Sequence, residues 1–211
     1  MTNIKQVASA RVRHSGFVIN SSFVLRPSSF SGRRAFTLIE LIVVTAVIII
    51  LTGLVLSTVG YIQKKGARAR AETEIAAMSA ACENYKADNG IYPRDNTTSQ
   101  YTDTLNARQN FDATQTVYQH ASFYLYTQLS ADSSGNRNPT GKSYMQFKPT
   151  MLLPVGGIGT VIAISDPFGN SYGYSTMKAS GGANGFNPTF DLWTVADGTA
   201  GTDQTKWVKN W

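Results

Sequence analysis

The 211-residue sequence is poor in the side chains that carry most enzyme chemistry: it holds one cysteine, Cys82, and two histidines, His14 and His120. A histidine-based triad or a zinc cluster cannot be built from so few, and an internal disulfide framework is excluded. Paired carboxylates are available, but no spacing singles out a pair, so the sequence points away from an enzyme. Acidic residues are absent from 1–35, where Lys5, Arg11, Arg13, Arg26, Arg33 and Arg34 account for the whole formal charge of +6. The remaining 13 basic residues balance the 13 acids, so no basic nucleic-acid face is indicated. The run "GGIG" at 156–159 lacks the Lys-Ser/Thr ending of a phosphate cradle.

Charge is also missing from residues 41–62, "LIVVTAVIIILTGLVLSTVGYI". As a helix these 22 positions reach roughly 33 Å, enough to cross a hydrocarbon core about 30 Å thick. Six basic residues precede the run and four follow it closely, Lys64, Lys65, Arg68 and Arg70, which places the amino-terminal side in the cytoplasm. Ala46, Gly53 and Gly60 recur every seven positions and line a face that a second helix can approach. Glu40 stands at the edge of this apolar stretch. Its carboxylate either finds a partner or snorkels to water.

Past the basic cluster, Ala71, Ile75, Met78, Cys82 and Tyr85 are spaced by four and three, an apolar stripe on a polar helix that packs on the chain's own globular part. Cys82 on that stripe reads as a small buried hydrophobe. Asn89 and Gly90 supply a left-handed cap and Pro93 forbids continuation, so one helix is expected from about 36 to 89.

The order of parts, a basic leader, a small residue, "FTLIELIVV" and a long half-apolar helix, resembles the signal of type IV pilins and type II secretion pseudopilins. "YKADNGIYP" (85–93), "DPFGN" (166–170) and "FDLWTVADG" (190–198) are similar to the major, G-type pseudopilin. The resemblance implies cleavage by prepilin peptidase between Ala35 and Phe36, N-methylation of Phe36, and pairing of Glu40 with the Phe36 amine of a neighbouring subunit during filament assembly. Two features depart from the family: Ala35 stands where Gly is usual, and the leader is long, which a translation start at a codon for Val24 or Leu25 would shorten.

The implied architecture is α+β, a pilin-like fold with one long N-terminal helix, half transmembrane, packed on a small antiparallel sheet. It divides into a cytoplasmic cleaved leader (1–35), the transmembrane helix part (36–62), its soluble half (63–93) and a periplasmic head (94–211). Within the head, 95–116 reads as a long loop, and 96–150 has no clear family match and is an insertion. Residues 117–129 read as a second helix with Val117, Ala121, Tyr124, Leu125 and Leu129 inward, and 144–165 as irregular strand pieces. Asp166–Gly169 fits a type I turn, followed by strands at "NSYGYST" and "FDLWTV". His120 reads as structural or exposed.

The family's last loop commonly binds calcium. Here that loop is "VADGTAGTDQT" (195–205), where Asp197 and Asp203 supply two hard oxygen ligands; on its own residues it reads as an ordinary surface turn. Family members often carry another Asp before an Ile-x-Asn-Trp ending, whereas this chain has Trp207 before Val208, Asn210 and Trp211.

The resemblance therefore implies a pseudopilin in the bacterial inner membrane. It would self-associate into the periplasmic filament of a type II protein secretion system, with other pseudopilins and the inner-membrane platform as partners. A type IV pilin serving adhesion, motility or DNA uptake is the alternative within the family. A plain single-pass membrane-anchored binding domain is the alternative outside it.

Overall fold

A computed structural model describes residues 36–97, 99–198 and 202–211. The expected leader (1–35), Ala35 included, lies outside the described residues. The chain divides into two units, Met1–Ile48 and Ile49–Trp211, and helix α1 (Leu38–Asn89) contributes residues to each.

In the first unit α1 starts at a side-chain cap. The Thr37 hydroxyl accepts the Glu40 amide at 3.3 Å, satisfying one of the amides that a helix start leaves unpaired.

In the second unit α1 ends as its sequence dictates. The Gly90 amide donates to the Lys86 carbonyl at 2.8 Å, and Gly90 adopts φ +78°, the left-handed geometry that glycine takes without steric cost. Short helix α2 (Tyr101–Thr104) and helix α3 (Thr116–Ser130) follow. Strands β1 (Leu152–Leu153) and β2 (Ala163–Ile164) form an antiparallel pair, and β3 (Gly173–Ser175), β4 (Asp191–Thr194) and β5 (Val208–Lys209) form an antiparallel sheet in the order β3-β4-β5. The protein is thus α+β, with a long apolar N-terminal helix and small antiparallel sheets.

The helical stripe is buried as its spacing predicts. Ala71, Ile75, Met78 and Cys82 pack with Leu125 and Leu129 of α3 and with Tyr174, Leu192 and Val208 of the sheet. Burying side chains of the size of Ile75 and Met78 contributes about 1.5–3 kcal/mol each. Tyr85 is only partly buried: its hydroxyl donates to Gln128 at 2.9 Å and its ring meets Tyr144 edge-on. Helix α3 spans the expected residues, but its buried face runs through Tyr118, Ala121, Leu125, Tyr126 and Leu129, with Val117 and Tyr124 half-buried.

Strand alternation produces a second core. Leu192 faces α1, and its neighbour Trp193 faces the opposite way, joining Leu105, Ala107, Ala113, Tyr118 and Trp207. Residues 95–116, expected as loop, therefore contain α2 and supply Leu105, Ala107 and Ala113 to this cluster. Gly173 pairs with Trp193 across the ladder, and a Cβ on Gly173 would lie 2.3 Å from the indole Cε2, so the indole fills the space a side chain would need.

Candidate functional site

From Leu38 to Ile62 the large apolar side chains of α1 are exposed, and α1 is long and apolar enough to cross a membrane, none of its most apolar stretch being buried. An uncovered apolar surface of this extent needs an apolar medium or a partner. Three of the hydroxyls inside it are internally satisfied. Thr45 donates to the Leu41 carbonyl at 2.9 Å, Ser57 to Leu54 at 2.8 Å and Thr58 to Val55 at 2.9 Å. Those three hydroxyls are therefore not orphaned in hydrocarbon.

Phe36 is exposed beside the start of this helix. Glu40 is exposed in the first turn, where a carboxylate suits the positive end of the helix dipole. Among the described residues its carboxylate has no hydrogen-bond or ion-pair partner.

Three of the basic residues beyond the apolar run, Lys64, Arg68 and Arg70, make contacts that hold the globular part. Arg68 donates to the carbonyls of Lys206 at 2.6 Å and Trp207 at 3.0 Å, so it grips the segment leading into β5. Arg70 pairs with Glu74 at 2.9 Å, and the buried Glu74 also accepts the Tyr172 hydroxyl at 2.8 Å. Burial and the Glu74 carboxylate push the Tyr172 phenol well up. Lys64 pairs with Asp197 at 3.3 Å.

Asp197 and Asp203, the candidate calcium ligands, are each occupied by protein groups. Besides the Lys64 contact on Asp197, Asp203 accepts the Thr205 amide at 3.1 Å and its hydroxyl at 2.5 Å, and lies 3.9 Å from Lys206. The Thr205 hydrogen bonds hold the Asp203 carboxyl below the usual aspartate value. No group of three or more His, Cys, Asp or Glu side chains gathers among the described residues. Residues 199–201 of this loop lie outside the described residues.

The turn at Asp166–Gly169 forms, closed by the Gly169 amide on the Asp166 carbonyl at 3.1 Å. Its side-chain network is not apparent from the motif. The buried Asp166 carboxylate accepts the amides of Phe168 at 2.9 Å and Asn170 at 2.7 Å, and a short bond from the Thr194 hydroxyl. Desolvation raises its pKa above the ordinary aspartate value, against those hydrogen bonds. Asn170 in turn donates to the Ala196 carbonyl at 2.8 Å, and Ala196 stands in the left-handed region at φ +59°. One turn thus holds the start of the 195–205 loop in a geometry that alanine rarely adopts.

Sequence reasoning missed this network and Arg68's grip. The signal for the first was the run Asp166-x-x-x-Asn170 beside a buried strand; Arg68 gave none beyond its charge. His120 packs edge-on against Tyr101, with ring centres 4.3 Å apart. Cys82 is buried, and desolvation pushes its thiol pKa up, far from a reactive thiolate.

No family model, no curated protein and no solved structure matches this chain.

Proposed function

We propose that the protein is a pseudopilin: a structural, non-enzymatic subunit that is cut before Phe36, N-methylated there, and stacked into the periplasmic filament of a type II secretion system. The observation that carries this reading is the carboxylate of Glu40, unpartnered among the described residues at the start of an uncovered apolar helix. Such a charge is stabilised when an opposite charge from another subunit meets it, and only one stagger of subunits brings the two together. The amine freed at Phe36 has the required sign. Gly53 and Gly60 support a helix partner in the same stack, since a Cβ on either meets nothing within 4 Å among the described residues.

In this reading the pilin-like fold carries its head in the periplasm and its amino terminus in the cytoplasm. Prepilin peptidase processes it, and other pseudopilins and the inner-membrane platform assemble it. A calcium ion at Asp197 and Asp203 would displace Lys64 and Lys206 from the two carboxylates. Calorimetric titration of the full chain in detergent with calcium tests this, and absence of heat removes the metal from the proposal.

The decisive test is the intact mass and amino-terminal sequence of the protein extracted from membranes of its native host. The expected chain begins with N-methylated Phe36, and Glu40→Ala then fails to enter filaments. A chain that keeps its leader in a host that processes other pilins would overturn the reading in favour of a plain membrane anchor.

A further inference from the structure

Where the uncharged run ends, the second unit holds a cavity of about 430 Å³, within the size range of small-ligand clefts. Tyr61 and Phe168 give it aromatic walls, and Lys64, Lys65, Arg68 and Lys206 face it, with Asp197 the one carboxylate. Part of this positive charge, that of Lys65 and Lys206, is weakly compensated or uncompensated. Lys64 is paired with Asp197, and Arg68 pairs with Glu72 at 3.5 Å besides gripping the two carbonyls. The Lys65 ammonium has no ion-pair or hydrogen-bond partner among the described residues, and the Lys206 ammonium has only the 3.9 Å contact with Asp203. The cavity therefore selects an anion.

Its place on the chain selects the kind of anion. Tyr61 lies in the last turn of the uncharged run 41–62, exposed, where an aromatic ring with a polar tip sits at the membrane–water boundary. Lys64 and Lys65 follow within one helical turn. An anion held there meets a continuous exposed apolar helix surface on one side and the cationic cleft on the other.

We propose that this cleft binds the headgroup of an anionic glycerophospholipid, its phosphate neutralised by Lys65 and Lys206 and its acyl chains lying along α1 before Tyr61. The inference rests on residues 41–62 spanning a membrane and is independent of filament assembly.

Native mass spectrometry of the full chain in detergent, titrated with equal amounts of phosphatidylglycerol and phosphatidylcholine, tests it. One phosphatidylglycerol molecule is expected to stay bound in preference to phosphatidylcholine. Each of Lys65→Ala and Lys206→Ala should weaken binding about fivefold and the double variant about thirtyfold, while Lys148→Ala leaves it unchanged. Both lysines are exposed, and unchanged tryptophan emission will show that the variants are folded. Equal retention of the two lipids, or undiminished binding by the double variant, would overturn the proposal. Displacement of the lipid by millimolar inorganic phosphate would overturn it too, because the ligand would then be a free anion. Failure of the span itself reads differently: alkaline carbonate would strip the chain from vesicles of either lipid.

Discussion

Replacing Glu74 by Ala tests how α1 is held to the sheet. The carboxylate is buried between Arg70, 2.9 Å away on the same helix, and the Tyr172 hydroxyl, 2.8 Å away. Losing it leaves the donor of a fully buried tyrosine without an acceptor, which costs about 1–3 kcal/mol. Arg70 is half exposed and returns to water, so the ion pair adds only about 0.3–0.5 kcal/mol. The expected loss is about 2–3 kcal/mol. Tyr172→Phe removes the donor and leaves Glu74 with Arg70, an expected loss of about 1–2 kcal/mol. In the double variant the two losses should fall short of additivity by about 1–2 kcal/mol. Urea unfolding of the full chain in detergent, followed by tryptophan emission, measures all three, since Trp193 and Trp207 are both buried. A Glu74→Ala variant within about 0.5 kcal/mol of the parent, or strict additivity of the pair, would refute the latch.

Asp166→Asn keeps the shape and the acceptor for the Phe168 and Asn170 amides while removing a desolvated charge. Because the folded pKa of Asp166 is raised, its contribution to stability is full below the ordinary value of 3.8 and is lost as pH rises through the folded value. The variant should therefore gain on the parent between about pH 4 and pH 7, and a stability difference that is the same at both refutes this. Gly173→Ala drives a methyl into the Trp193 indole and is expected to cost about 3 kcal/mol, with a shift in tryptophan emission; an unchanged spectrum and unfolding midpoint would contradict the contact. The Cys82 thiol should react with maleimide only as fast as the protein opens, and labelling at the rate of a free thiol would show that the stripe is not packed.

Much of this fold is legible because it is written in local periodicity. The spacing of Ala71, Ile75, Met78 and Cys82 fixes a helix face, Asn89 and Gly90 stop it, and Asp166-Pro-Phe-Gly makes its turn, all within a few residues of sequence. Strand β5 is different. Val208 and Lys209 become a strand because Thr194 and Trp193 of β4 offer them a ladder, and two residues carry no period of their own. The same holds for β1 and β2, each of two residues. Residues 95–116 look like loop because polar residues dominate, yet three small or apolar side chains suffice to close the second core over Trp193. At the candidate site, Glu40 and the apolar run stand out as chemical anomalies. The Lys64–Asp197 pair joins residues 133 positions apart and leaves no trace in spacing.

Arg68's grip on the Lys206 and Trp207 carbonyls has a mechanical consequence. Those carbonyls lead directly into β5, whose ladder to β4 passes on to β3. A pull along α1 is thus delivered to the sheet partly through its edge strand, and the load is shared among the charge-assisted bonds of one guanidinium, the Glu74–Tyr172 bond and the apolar stripe. Cutting that tether with Arg68→Ala leaves the stripe and the Glu74–Tyr172 bond to bear the tension, so the rupture force in single-molecule pulling should fall even where equilibrium stability changes little.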